Sequence, residues 1–521
     1  LPVLILACLI SVSLAVLALI ASSYPPNTWD SMTYHLPRVM HWAQQASVAH
    51  FATSIDRQLW DPPLAEFILL HLQLLTGSDR WMNLVQWCAM ALSIVSVSEI
   101  SRKLGGDSAA QALSAVLAVA IPMGVLQATS TQNDLVLTAL VLAFVNLVLG
   151  LDTSRTRWAH LCLIGLSLGL AGLTKGTAVV FVAPFGVWLV YSLLRHSGLR
   201  GFYHGAVIGG LALVIVAGHL WRNQSLYGQP IGSGSANLNE VISPGGMATN
   251  ILKNIAIHVP LVETPGVANR LGVLSLGGLQ ELQHLTGMSP SDSRLSWTDD
   301  NVFAQSFGTW RDEDYAGNAL HTVLIMLAVI VIFLCASLRS LRPYALALLA
   351  TFALFSLLFK WQPWASRLQL PAYFLWAPAL AVIVGRKGAA VAVVTGLLVW
   401  TASIPWLVGN ATRPLGPLLQ PEGIARRREY FAKRSDVYPA YLAVTDRITQ
   451  AGCDRVGLEL EEDSWEYPIW VLLRDRGFSG EIQHISVENA SRIYEDRTYR
   501  PCAIIRDRGS GGITVRLQPG S

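Results

Sequence analysis

In a chain this apolar, the residues able to do chemistry stand out at the ends of apolar runs. Asp30 follows LPVLILACLISVSLAVLALIA and lies in NTWDSMTYHLPR, with Tyr34 and His35 one turn further on. Asp134 opens a second apolar run in STQNDLVLTALVL. A carboxylate in the membrane zone is expensive and marks a candidate functional site, where it can act as a general base toward a hydroxyl. Each acid also has a plainer explanation. Asp134 after Asn133 suits the first turn of a helix, and Asp30 suits a solvated loop. Four cations are placed alike: Lys175 in TKG, Arg222 in HLWRNQSLYGQP, and Lys360 and Arg367 bracketing WQPWAS. They suit a phosphate held by charge-assisted hydrogen bonds, or simple snorkelling of long cationic chains. Glu313 and Asp314 in RDEDYAGN, with the acidic WTDDN at 297–301, precede a further apolar run and either close over a site or form a solvated loop.

Composition says what must position these groups. Of 521 residues, 52% are hydrophobic and 14% charged, with mean hydropathy +0.43. A soluble domain carries about 25% charged residues, so the chain reads as a polytopic membrane protein surrounded by lipid. A net charge of +3 without a basic, aromatic-interleaved patch excludes a nucleic-acid partner. C-x-x-C, H-E-x-x-H and Walker A motifs are all missing from the sequence. The glycine clusters GVLSLGGL and SPGG read as turns. Cys8, Cys88, Cys162 and Cys335 read as small hydrophobic packers, whereas Cys453 and Cys502 either pair in an oxidising compartment or stay as two thiols.

A bilayer core takes roughly 20 apolar residues per helix. The spans expected are 2–21, 82–101, 108–126, 134–151, 159–173, 177–194, 204–221, 320–338, 343–360, 368–385 and 389–408, about eleven in all. Residues 1–21 count as a span because they lack the charged region and cleavage site of a signal peptide. Basic pairs then fall in alternate loops: Arg102 with Lys103, Arg155 with Arg157, Arg195 with Arg200, Arg339 with Arg342, and Arg386 with Lys387. The positive-inside rule makes those loops cytoplasmic. Outside lie a first loop (22–81), a large loop (222–319) and a tail (409–521), so the chain divides into a membrane domain, 1–408, and an extracytoplasmic domain, 409–521. In the first loop, HLPRVMHWAQQA and LAEFILLHLQLL read as juxtamembrane helices. The tail alternates helical and strand-like segments, as a small α/β domain does. Trp29, Tyr34, Trp42, Trp60, Trp81, Trp361 and Trp364 suit an interfacial belt, with one or two free to stack on a sugar.

The stretches NTWDSMTYHLPR, WDPPLAEF, TQNDLV, GLTKGTA, WRNQSLYGQP, DEDYAGNALH and KWQPWASRLQLP punctuate most of residues 20–371. In order and placement they resemble the GT-C glycosyltransferases, in particular bacterial relatives of protein O-mannosyltransferases and of the lipid A aminoarabinose transferase. The resemblance implies a hexosyl- or pentosyltransferase in the inner (cytoplasmic) membrane, with a periplasmic active site serving the cell envelope. It would move a sugar from a polyprenyl-phosphate carrier to a glycan, lipid or protein acceptor. It makes Asp30 the general base of an inverting displacement and Asp134 the second acid. Lys175, Arg222, Lys360 and Arg367 would hold the donor phosphate, and Tyr34, His35, Glu313 and Asp314 the substrates. A divalent cation, Mg or Mn, would sit between Asp30 and Asp134 if one is used. Two departures are plain: Ser31 follows Asp30 where relatives often pair acids, and Asp61 precedes Pro62-Pro63 where relatives often place a basic residue or His. The competing assignment is a transporter or flippase of a lipid-linked anion or sugar, which calls for helices broken at mid-membrane depth.

Overall fold

The computed structural model describes residues 1–151, 157–258, 311–421, 423–507 and 512–518, and between 259 and 310 residues 270, 274, 277–278, 280–281, 287–289 and 291–297. Arg155, residues 298–301 of WTDDN and most of GVLSLGGL lie outside the described residues.

Each expected span contains helix. Among the described residues, six helices are long and apolar enough to cross a membrane: Pro2–Ser23, Leu84–Lys103, Ala178–Ser197, Leu199–Tyr227, Ala336–Leu358 (a 3-10 turn running into an α-helix) and Ala389–Val408. Shorter apolar helices fill the remaining stretches, among them Asp134–Leu149, Trp158–Thr174, Ala319–Leu334 and Leu370–Gly385. One expected span is corrected. The segment 108–126 is two helices, Ser108–Val119 and Pro122–Gln127, because Pro122 has no N–H to continue the first helix and is instead suited to begin the second. SPGG is likewise a helix start rather than a turn. Ser243 Oγ accepts the Gly246 N–H at 3.0 Å at the head of Pro244–Ala256, a helix within the large loop.

Packing ranks these helices. Leu370–Gly385 is buried at every residue from Leu370 to Val382, as an all-round apolar helix must be at the centre of a bundle. It packs on Ser108–Val119 and Asp134–Leu149. Trp158–Thr174 meets Leu199–Tyr227 through Gly165 and Gly169, where an added Cβ would lie 2.9 Å from Ile208 O and 3.0 Å from Ala212 O. Small residues at this spacing let two backbones touch without a large apolar driving force. Cys8 and Cys88 are exposed on helix surfaces, and Cys335 is exposed just past the end of Ala319–Leu334, rather than packed inside, since the outer face of a membrane bundle is itself apolar.

The tail folds into a four-stranded sheet of order β2-β1-β3-β4: β1 Arg455–Glu459, β2 Glu481–His484, β3 Ala503–Asp507 and β4 Ile513–Leu517. β1 pairs in parallel with β2 and β3, and β4 runs antiparallel to β3. Helix Tyr438–Gln450 packs on β4 and on helix Tyr467–Arg474, and Cys453 and Cys502 form a disulfide ahead of β1 and β3. The core of this unit is continuous with the first loop. Val456, Leu458, Ile482 and Ile505 belong to the same buried cluster as Met32, Leu36, Val39 and Met40.

Candidate active site

The first helix ends at Ser23, and the chain is then pinned on both sides. Tyr24 OH donates to Pro414 O at 2.8 Å, and Asn27 Nδ2 donates to Thr412 O and Glu429 O, each at 3.1 Å. Asp30 comes next, followed by a π-helical turn, Ser31–His35. Single π turns break the regular ladder and are frequent at functional sites. Here the turn sets Ser31 Oγ 2.5 Å from Thr131 Oγ1, which ties the Asp30 segment to the loop that carries Asp134. Ser31, the departure from a paired acid, is thus a structural tie.

Asp30 is 7% exposed and faces Arg367, whose Nη2 lies 2.8 Å from Asp30 Oδ2. Arg57 Nη1 stands 3.9 Å from the other carboxylate oxygen. Burial pushes the Asp30 carboxyl up, but the guanidinium groups of Arg367 and Arg57 outweigh it and hold the group well below the usual carboxylate range. Arg367 sits on the short helix Ala365–Leu368, immediately before the central helix. Its Nη1 also meets Asp314 Oδ1 at 3.1 Å and donates to Gln132 Oε1, while its Nε is buried with no hydrogen-bond partner among the described residues.

Asp134 does not cap its own helix. Gln86 Oε1 takes the Leu135 and Val136 N–H groups at 2.9 and 3.1 Å, which leaves the carboxylate free to face Lys175 Nζ at 2.6 Å. Asp134 Oδ2 is buried with no hydrogen-bond partner. Arg367 feels the charge of Asp134 as well as those of Asp30 and Asp314. The structure therefore brings Asp30, Asp134, Asp314, Lys175 and Arg367 into one electrostatic group.

Two of the four expected phosphate ligands are held elsewhere. Lys360 Nζ pairs with Glu240 Oε1 at 2.6 Å, and Arg222 Nη1 donates to Val48 O at 2.9 Å. Tyr34 lies under the Arg57 guanidinium, 4.9 Å from it, and beside Asp30. His35 Nδ1 is locked to Glu66 Oε1 at 2.7 Å. Glu313 is fully buried between Arg413 Nη2 at 3.1 Å and Lys433 Nζ at 3.0 Å, so it braces the loop and is shielded from a substrate. Asp61 has no cation in its place in the sequence, but Arg38 reaches its carbonyl at 2.8 Å from the juxtamembrane helix.

Two groups of metal-ligand type occur among the described residues. Asp312, Glu313 and Asp314 converge on Lys433 Nζ, which supplies the positive charge there. Glu466 lies between His41 Nε2 at 2.7 Å and His484 Nε2 at 3.1 Å, and also accepts Gln58 Nε2 at 2.7 Å and Trp470 Nε1 at 2.9 Å. A carboxylate has about four acceptor sites, so this one is saturated by donors. Asp30 and Asp134 each face an organic cation, and a divalent ion between them would have to displace Arg367 and Lys175. The residues present do not fit such an ion.

Arg57, Gln132, Arg413 and Lys433 were not singled out from sequence. Their partners are remote: Arg413 and Lys433 meet residues 312–314 at separations of 100 and 119. The signal within reach was Arg413, which follows the last expected span closely on the outer side, where the positive-inside rule disfavours cations.

Residues 61–221 match the family model of dolichyl-phosphate-mannose-protein mannosyltransferases. Among solved structures, the chain is similar to ArnT from Cupriavidus metallidurans bound to undecaprenyl phosphate, with TM-score 0.54 and 13% identity, covering 96% of this chain and 93% of that one. The apo state of the same protein matches with TM-score 0.52 and 13% identity over 96% and 92% of the two chains. No curated protein matches in sequence. At this identity the structural likeness is one of fold, and the matched segment includes Asp61, Asp134 and Lys175 but not Asp30 or Arg367. The chain thus has a GT-C-like fold, and over residues 61–221 it resembles the dolichyl-phosphate-mannose-protein mannosyltransferases.

Proposed function

We propose that the protein is a glycosyltransferase of the GT-C type, moving a hexosyl or pentosyl unit from a polyprenyl-phosphate carrier to a hydroxyl acceptor at the outer face of the inner membrane. The observation that carries this is Arg367 held between Asp30 and Asp314, with the Asp134–Lys175 pair alongside, at one end of an apolar helical bundle. The matched family segment and the ArnT-like fold support the donor class. On this reading about eleven spans cross the bilayer, residues 1–408 form the membrane domain, and residues 409–521 form an extracytoplasmic domain beside the site.

Asp30 takes the proton of the acceptor hydroxyl as its oxygen attacks the anomeric carbon. The bond from that carbon to the phosphate oxygen breaks, and a single displacement inverts the centre. Lys175 and Arg367 stabilise the charge left on the departing lipid phosphate. Arg367 has a second role. While it pairs with Asp30, the carboxylate is a weak base; a phosphate that draws the guanidinium away raises the basicity of Asp30 only when donor is bound. Asp134 positions Lys175 and the acceptor. No step is routed through a metal.

The test uses the membrane-embedded protein and a labelled polyprenyl-phosphate sugar. Asp30→Asn should reduce transfer by roughly 100-fold or more while donor binding persists. Turnover like that of the wild type would remove Asp30 from the reaction.

A further inference from the structure

A cleft of about 150 Å³ opens between the first loop and the C-terminal unit. Engineered cavities of about this size take benzene, so there is room for one six-membered ring. Its walls include Trp29, Trp465, Tyr441, Glu461, Asp463 and Arg434. Trp29 and Trp465 meet edge to face at 5.4 Å. Trp465 is 3% exposed, and its indole N–H is buried with no acceptor. The cleft also adjoins the acid assigned as base. Trp29 precedes Asp30, and Asp463 accepts from Arg57, which stands 3.9 Å from Asp30.

An aromatic wall facing carboxylates matches the two surfaces of a sugar ring, an apolar C–H face and an edge of hydroxyls. An anion would meet Glu461, Asp463 and Asp507, and an amine would meet Arg434. We propose that this cleft seats a sugar ring of the acceptor, so that the acceptor is a saccharide. Its ring rests on Trp29, and Glu461 and Asp463 accept from its hydroxyls. The acceptor role rests on the transferase reading; sugar binding in the cleft does not.

The full chain in detergent is titrated, without donor, with neutral mono- to tetrasaccharides of glucose, mannose and N-acetylglucosamine, followed by tryptophan fluorescence and calorimetry. Saturable binding is expected. Glu461→Gln and Trp29→Ala should each weaken it roughly tenfold, and Trp29→Phe should restore much of the loss. In turnover, the acceptor KM should rise in both variants while the donor KM stays unchanged. No binding of any probe by the wild type, or equal binding by both variants, overturns the proposal. Saccharide binding in a protein that turns over no lipid-linked sugar sustains the cleft and removes the transferase reading. Donor turnover without saccharide binding does the reverse.

Discussion

Arg367 decides how Asp30 behaves, because it is the cation nearest to that carboxylate. A guanidinium beside an Asp lowers its pKa by about 1–3 units. In Arg367→Ala the acid limb of kcat/KM should therefore move up by at least about 1 pH unit; an unmoved limb would separate the pair from catalysis. Asp61 goes the other way. Burial raises its carboxyl to about 6 against the opposing charge of Arg38, with Glu66 adding to the rise. The fold therefore favours the neutral acid, and this contribution is present below about pH 4 and lost as pH rises through about 6. Asp61→Asn, neutral throughout, should gain stability over the wild type between pH 4 and 7, by up to about 3 kcal/mol. Parallel melting curves for the two proteins across that range would refute the assignment.

At the scale of elements, the acids are positioned by caps and breaks rather than by their own helices. Gln86 satisfies the start of Asp134–Leu149 from a neighbouring helix, so Asp134 stays turned to Lys175. Gln86→Leu should leave two buried N–H groups unpaired, costing about 1–3 kcal/mol, and should draw Asp134 back to cap its own helix. Melting temperature and donor turnover should fall together; an unchanged melting temperature would mean that water or another side chain caps the helix equally well. Along that helix, Asn146 O binds Lys103 of a basic pair twelve residues from Asp134, about 18 Å away. Asp134 and Lys103 therefore lie at opposite ends of this helix.

At the scale of the whole molecule, the C-terminal unit is part of the site's frame. Glu466 joins it to the first loop through His41 and Gln58, and Arg57 reaches Glu462 and Asp463. Glu466→Ala leaves buried donors without their acceptor, at a cost of about 3–5 kcal/mol, and should expose the 409–437 segment to protease. Protection equal to that of the wild type would show that the shared apolar core alone holds the unit. The sequence by itself determined where the apolar helices fall, apart from the break at Pro122, together with the juxtamembrane helices, the order of helices and strands in the tail, and the segments in which Asp30 and Asp134 fall. Those are properties of local periodicity and composition, which neighbouring residues carry. The partners were decided only by the tertiary structure: Lys175 and Arg367 gathered with the acids, Lys360 and Arg222 sent elsewhere, Lys433 and Arg413 brought in from the tail, and Cys453 joined to Cys502. An ion pair depends on distance in space, and residues a hundred or more positions apart leave no periodic trace of one another along the chain.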